Sequence, residues 1–470
     1  MPSQKKIVII GAGISGLTTA YLLFKEGYDV VVLEQRDKVG GSIETVNADG
    51  FLFDRGPNSG LETTPLIQQL VKELNLEDQF VYANREGNKR YILKNGELLA
   101  LPMSPPSFFK TKLFSGKAKL RLLAEPFIGK SKDGYYQSIA EFVTRRLGKE
   151  FLDYAINPFV AGVYAGRPEE LSVKSAFPKL YALEEEYGGL ILGTIRSIRK
   201  RKKSKEVSKQ SAKMFSFKDG MKVLPEAITE KLGNRVSTGV EVISVRSTAD
   251  PAAARRSAET RGNYGVTFRD GKQNLTLLAD IVLSTVPSYK AAELFGHFDE
   301  SLAKHLNEIY YPPVLVLCLV YERSAVGQPL DGFGFLIPEK EEKSFLGAIW
   351  SSVIFPNRTD ETKAAFTLFI GGSRDAGFID DVEQIVIDRA RREFELIMKI
   401  SAEPVLISKR LWPKAIPQYN LGYVEHENFF DHFEKDNRGI ILGGNYRGGI
   451  SVGDCIKNSE LVAQRIKNLT

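Results

Sequence analysis

The stretch at residues 7–23, IVIIGAGISGLTTAYLL, restricts what this chain can fold into more than any other. Four apolar residues, Ile7 to Ile10, suit a buried strand, and the spacing of Leu17, Ala20, Leu22 and Leu23 suits a helix. Gly11, Gly13 and Gly16 stand between the two. A dinucleotide-binding unit needs glycine at its turn, where backbone approaches a pyrophosphate, and where helix packs on strand. The helix N-terminus then offers N–H groups and a positive dipole end to the phosphates. Gly11, Ala12, Gly13, Ile14, Ser15 and Gly16 are therefore candidate pyrophosphate contacts. After Gly27, YDVVVLE supplies a second strand ending in Glu34, whose carboxylate can accept both ribose hydroxyl protons and would repel the phosphate of NADP. NAD and FAD remain.

The next residues separate those two. Gly40 and Gly41 follow Glu34 after five residues, and FLFDRGPNS follows at 51–59. This strand-Glu-x5-GG arrangement resembles the flavin-containing amine oxidase superfamily, in which the glycine pair lets the chain pass close to the flavin. The resemblance implies FAD. A second glycine-rich strand-to-helix segment, RGIILGGNYRGGISVGDCIKNSELVAQRI, closes the chain, as expected if another helix N-terminus faces the cofactor.

Composition sets outer bounds. With 470 residues, 43% hydrophobic and 26% charged, the chain has room for two or three domains and an ordinary globular balance. Cys318 and Cys455 are too few for a disulfide framework, which fits a reducing cytoplasm. No secretory signal and no apolar run of about 20 residues is present. His297, His305, His426 and His432 show no metal spacing, so no metal is expected. The net charge of +6 is unevenly placed, with a basic run RSIRKRKKSK at 196–205. No aromatic residues interleave it, so nucleic acid is not expected; a solvated loop or an anionic lipid contact remains. Upstream, residues 103–130 mix Phe108, Phe109, Leu113, Phe114, Leu120, Leu122, Leu123 and Phe127 with lysines, which suits either a membrane-interface surface or buried core.

Along the chain, residues 63–76 suit an amphipathic helix and 90–102 a hairpin turning at Asn95-Gly96. Helical periodicity dominates from about 104 to 200. Strand patterns return at 235–247, 264–271, 279–287, 313–322 and 365–372, a helix is expected at about 382–400, and 251–262 reads as an insertion in a hairpin.

Several stretches resemble the oxygen-dependent protoporphyrinogen oxidase family over nearly the whole chain. NPFVAGVYAGRPEELSVKSAFPKLY at 157–181 is the most telling, and FKDGMKVLPEAI, DGFGFLIP, AIPQYNLGY and GGNYRGGISVGDCI join it. The resemblance implies an α/β fold: an FAD-binding Rossmann-like domain of the glutathione-reductase/amine-oxidase type, a mixed-sheet substrate domain and a helical membrane-facing domain, discontinuous in sequence. The expected segments are 1–88, 206–290 and 405–470 for FAD, 89–103 and 291–404 for substrate, and 104–205 for the helical domain. By the same resemblance, Gly40, Gly41, Ser42, Gly56, Pro57, Asn58 and Ser59 border the flavin, and Val242 meets the adenine end. Gly444, Ile450, Ser451 and Val452 face the flavin ring. Arg90 holds a tetrapyrrole propionate, Phe333 and Leu336 sandwich the macrocycle, Ile349 and Phe369 wall the pocket, and Gly162 leaves room near the ring.

The activity so implied is oxidation of protoporphyrinogen IX to protoporphyrin IX in haem (porphyrin) biosynthesis, with non-covalent FAD and with O2 as acceptor giving H2O2. No side chain is assigned to catalysis, because the flavin carries the chemistry. A cytoplasmic location, with a peripheral contact to an anionic membrane face, is expected, and a homodimer is left open. Three other readings share motifs with this one. A coproporphyrinogen III oxidase forming coproporphyrin III shares almost all of them. An amine oxidase or desaturase shares the FAD unit but not the GVYAG segment. A non-enzymatic prenyl-binding chaperone shares the fold.

Overall fold

In the computed structural model, which describes residues 5–84, 87, 89–131, 136–201, 212–248 and 263–469, the glycine-rich stretch folds as its spacing predicts. The β-branched run of β1 (Lys6–Ile10) leads through the glycine turn into α1 (Ile14–Lys25) and back to β2 (Asp29–Leu33), parallel to β1. α1 ends where the Glu26 N–H bonds the Leu23 carbonyl and the Gly27 N–H the Phe24 carbonyl, and Gly27, at φ +87°, reverses the chain.

Around β1 a five-stranded sheet assembles in the order Val236–Ser237, β2, β1, Ile281–Ser284, Ile440–Leu442, all parallel. Its strands come from the start, middle and end of the chain, so the unit they form is discontinuous in sequence. The strands of this sheet are buried on both faces, which explains their unbroken apolar runs.

The second sheet has seven strands in the order Leu406–Trp412, Val314–Glu322, Lys363–Gly371, Phe345–Ile349, Gly332–Leu336, Lys89–Lys94, Glu97–Ala100. It is antiparallel except where Gly332–Leu336 runs alongside Lys89–Lys94. The expected hairpin turns at Asn95 (φ +53°) and Gly96 (φ +78°). Leu406–Trp412, expected within the segment 405–470, is instead the edge strand of this mixed sheet, because its register is set by Val314–Val320.

Helices fill most of 104–201, among them α2 (Asn157–Tyr164). Later helices used below are α3 (Glu300–Asn307), α4 (Tyr423–Asp436) and α5 (Val452–Leu469). The expected insertion at 251–262 and much of the basic run at 196–205 lie outside the described residues. Among the described residues, no helix is long and apolar enough to cross a membrane.

The helical part is centred on a buried charge cluster rather than on apolar packing alone. Arg146 is fully buried; its Nε donates to Glu184 at 2.8 Å, Nη1 to Glu125 at 3.0 Å, and Nη2 to the Gly188 carbonyl at 2.8 Å. Glu125 in turn accepts the N–H groups of Leu190 and Ile191 at the start of the next helix. Burial alone would raise the Glu184 carboxyl, but hydrogen bonds from Arg146 and Arg145 outweigh it and hold the group below its ordinary 4.5. A depressed folded-state pKa contributes stability above the unfolded value that is lost as pH falls through the folded one. Denaturant unfolding between pH 7 and 3 is expected to show stability declining below about pH 4.5, with the slope shallower in Glu184→Gln. That variant should also lose about 3–5 kcal/mol at pH 7, since it leaves buried arginine charge short of a partner. Parallel pH profiles for the two proteins would contradict this account.

Candidate functional site

The two glycine segments of the N-terminal unit press on each other. Gly13 and Gly40 form a bridge, the Gly40 N–H donates to the Ala12 carbonyl at 2.8 Å, and a Cβ on Gly41 would stand 3.1 Å from Gly13 Cα. At Gly16 a Cβ would meet the Gly11 carbonyl oxygen at 2.1 Å, so no side chain fits where helix crosses turn. Gly13, by contrast, has only Gly41 Cα within reach, at 3.9 Å. Its face is open to an approaching group. Gly13 caps α1 without any side chain, leaving the first-turn N–H groups of Ile14, Ser15 and Gly16 to a ligand.

Glu34 is buried at the end of β2. One carboxylate oxygen accepts the Ala12 N–H at 2.8 Å and the other the Arg36 N–H at 3.0 Å. Ala12, expected as a pyrophosphate contact, therefore has its N–H committed to Glu34. Each oxygen keeps a lone pair, and the Val240 N–H bonds the Glu34 carbonyl, bringing the strand that carries Val242 beside it. The ladder bulges between Val242 and Ser244.

The C-terminal glycine segment arrives at the same place. α5 packs on α1, with Ser459 Oγ donating to the Ser15 carbonyl at 3.0 Å. Thr285 joins the two turns: its Oγ1 bonds the carbonyls of Ile10 and Gly11, and its own carbonyl lies 3.1 Å from where a Cβ on Gly444 would be. Ser451 is engaged as a helix cap, accepting the Asp454 N–H at 3.2 Å and donating to its carboxylate at 2.7 Å. Ile450 is half-buried and Val452 buried beside it. A further contact, Gly56 against the Ser42 carbonyl, is so close that a Cβ would stand 1.9 Å away. The turn Gly56-Pro57-Asn58-Ser59 thus lies on the Gly40-Gly41-Ser42 segment. An acidic ribose acceptor, an uncapped helix start and two mutually packed glycine turns fit an adenine dinucleotide with a flavin end.

Beyond that turn a narrow cleft lies against the mixed sheet. Asn58, Ser59, Phe333 and Ile349 all line it. Phe333 and Leu336 are three residues apart, which plain strand alternation sends to opposite faces. The ladder slips between Gly332 and Gly334, and Phe333 shares the cavity with Ile349, the residue paired with Gly334. Leu336 lies outside this lining, against α2: a Cβ on Gly162 would come 2.6 Å from its Cδ2. Gly162 therefore gives its room to Leu336. Phe369 sits further along the sheet, packed on the cluster containing Phe51 and Phe53. Arg90 is exposed, with its guanidinium 5.7 Å from the Phe333 ring centre. Desolvation against its neighbours pushes it below its ordinary value, and it makes no ion pair among the described residues.

Two residues at this cavity carried no sequence signal. Asp54 and Arg358 form a buried ion pair at 3.1 Å, and both line it. Burial raises the Asp54 carboxyl despite Arg358, Thr45 Oγ1 and the Met221 N–H, which all favour its charged form. Arg374 sets α2 on the sheet, donating to the Ile337 carbonyl and to both oxygens of Asn157; burial pushes it down to about 10.

A model of the family described as flavin containing amine oxidoreductase matches residues 14–467. The chain belongs to that family. It is a flavin-containing oxidoreductase, and its cofactor is FAD. Protoporphyrinogen oxidase 2, chloroplastic/mitochondrial, of Arabidopsis thaliana is 32% identical over 97% of this chain and 92% of its own. Coproporphyrinogen III oxidase of Bacillus subtilis (strain 168) is 27% identical over 96% of each. A crystal structure of a protein from Exiguobacterium sp. 255-15 superposes with a TM-score of 0.79 at 20% identity, covering both chains completely, which establishes the shared fold.

Gly16→Ala drives a methyl into the Gly11 carbonyl and is expected to yield colourless protein, whereas the wild type should be yellow and release its flavin into the supernatant on acid precipitation. Absorbance near 450 nm before and after precipitation checks both. Flavin retained by Gly16→Ala would remove the turn from the cofactor site.

Proposed function

We propose that the protein oxidises protoporphyrinogen IX to protoporphyrin IX, with O2 as final acceptor and H2O2 as product. The observation that carries this reading is the cleft lined jointly by Asn58, Ser59, Phe333 and Ile349, with the Arg90 guanidinium, in no ion pair among the described residues, 5.7 Å from the Phe333 ring. The relatives named protoporphyrinogen oxidase, 32% identical over nearly the whole chain, support it.

When bound, FAD supplies the hydride acceptor and passes electrons on to O2. The chain's own part is placement. The glycine turns and Glu34 hold the dinucleotide, and the 56–59 turn brings its flavin end to the cavity. Phe333 and Ile349 offer flat apolar walls on which a macrocycle can lie, which excludes water from the reacting carbon. Leu336, against Gly162, and Phe369 lie outside this lining and shape it only from behind. Arg90 binds a propionate and fixes the ring's rotation. Loss of hydride is driven by the conjugation gained, so no side-chain acid or base is required, and the cycle repeats until the ring is aromatic.

A second reading, coproporphyrinogen III as substrate, is favoured by the Bacillus subtilis relative. That substrate carries four propionates against two. Arg358 is already neutralised by Asp54, and residues 56–71 contain no lysine or arginine, so the cations near the cavity suit the substrate with fewer carboxylates. Fluorescence assays with each porphyrinogen are expected to give the higher kcat/KM for protoporphyrinogen; an equal or higher value for coproporphyrinogen would reverse the assignment. Because Arg90 is exposed, Arg90→Ala should raise KM about tenfold, about 1.4 kcal/mol, with kcat and flavin content unchanged. An unchanged KM would take Arg90 out of the site.

The helical part also offers a surface for an anionic membrane. Leu113 and Phe114 are buried, whereas Leu120 (69% exposed) and Phe127 (89%) stand in solvent beside Lys117 and Lys130. Apolar side chains dipping into the interface and lysines meeting anionic headgroups suit such a contact. Co-sedimentation with anionic vesicles at low salt should be strong for wild type and weakened by Leu120→Ser with Phe127→Ser. Equal recovery in the supernatant with and without vesicles would oppose it.

A further inference from the structure

The four histidines show no metal spacing in sequence, yet the fold pairs two of them. α3 packs against α4, and His305 Nδ1 comes to 2.9 Å from His426 Nδ1 across 121 residues of chain. Glu308, one residue after α3, brings a carboxylate oxygen to the same point, and the three ligand atoms lie within 4.8 Å of one another. We propose that His305, His426 and Glu308 bind one divalent transition-metal ion of the zinc class, with water completing its shell.

The donor set selects the ion. Two imidazole nitrogens and one carboxylate suit a borderline cation such as Zn2+ rather than Ca2+ or Mg2+, which take oxygen shells. Zinc–nitrogen bonds of about 2.0–2.1 Å place two tetrahedral ligand nitrogens about 3.3 Å apart, a few tenths of an ångström more than the present separation. A small rotation of either ring opens that gap. Without metal, the facing nitrogens share one proton in an N–H···N bond; when the ion binds, that ring takes its proton on Nε2 instead, so both Nδ1 lone pairs engage the ion. The rings are already oriented by their neighbours. His305 stacks on Phe429 with centroids 4.3 Å apart, and His426 meets Tyr423 edge-on at 5.7 Å. Such outer contacts lower the cost of ordering ligands. Both histidines are half-buried and Glu308 is exposed, so the ion has a path from solvent. Lys304 Nζ, 3.9 Å from Glu308, is the cation it displaces.

The consequence is a staple between two helices that otherwise meet through side-chain packing. α4 is tied onward to the C-terminal glycine segment, where the Tyr423 hydroxyl donates to the Tyr446 carbonyl at 2.6 Å. An ion bound by the folded state alone raises the unfolding temperature with its concentration.

The test uses the flavin-loaded protein, treated with chelator and then titrated with ZnCl2 alone against a chromophoric chelator, with Tm measured in parallel. One Zn2+ per chain and a Tm that rises with Zn2+ are expected. His305→Asn and His426→Asn should each weaken binding at least tenfold with flavin retained. His432→Asn, an exposed position whose Nδ1 faces the Asn428 carbonyl, should leave it unchanged. Glu308→Gln, at an exposed position, keeps the test decisive where a histidine variant fails to fold, and it too must weaken binding. No stoichiometric Zn2+ on the wild type, or wild-type affinity in Glu308→Gln or in a folded histidine variant, overturns the proposal.

Discussion

The buried pair of Asp54 and Arg358 connects the parts that form the cavity. Arg358 lies on the loop before Lys363–Gly371 of the mixed sheet; its Nη2 reaches Asp54 at 3.1 Å and Ser216 Oγ at 2.9 Å, and its carbonyl accepts the Leu52 N–H. Asp54 closes the hairpin just before the 56–59 turn and also receives Thr45 Oγ1 and the Met221 N–H. Burial pushes both groups toward neutrality, and each partly offsets that push on the other. Such a pair adds little net stability compared with apolar packing, but it admits only one arrangement of its partners. Here the pair ties the hairpin before the 56–59 turn to the loop that carries Arg358, and both residues line the same cleft as Phe333.

The cofactor end is organised by a different constraint, close backbone approach. Two helices, α1 and α5, begin at glycine turns from opposite ends of the chain and are locked together through Ser459 and the Ser15 carbonyl. Thr285, on the strand end between them, contacts both turns with one side chain and one carbonyl. Positive helix ends therefore converge on one region, which suits the diphosphate and flavin of FAD. On the substrate side the arrangement is indirect. Arg374 fixes α2 through Asn157, α2 presents Gly162 to Leu336, and a bulge at Gly332–Gly334 turns Phe333 toward Ile349. Residues that touch nothing reactive thus determine the shape of the apolar walls.

The sequence by itself determined the features that depend on short-range stereochemistry. The glycine spacing at 11–16, the acidic end of β2, the Asn95-Gly96 hairpin and the strand and helix periods are each decided within a few residues of backbone, so they could be read without knowing the fold. Family motifs added Arg90 and Phe333 as expected substrate contacts. Only the tertiary structure decided the pairings made over long separations: Asp54 with Arg358 across 304 residues, Thr285 between the two glycine turns, His305 with His426, and Leu406–Trp412 as an edge of the mixed sheet. An arginine in FPNRTD or a lone histidine on a helix looks like any surface residue until a distant partner removes it from water. Its chemistry is set by burial and by that partner, which are properties of the folded chain and not of its neighbours in sequence.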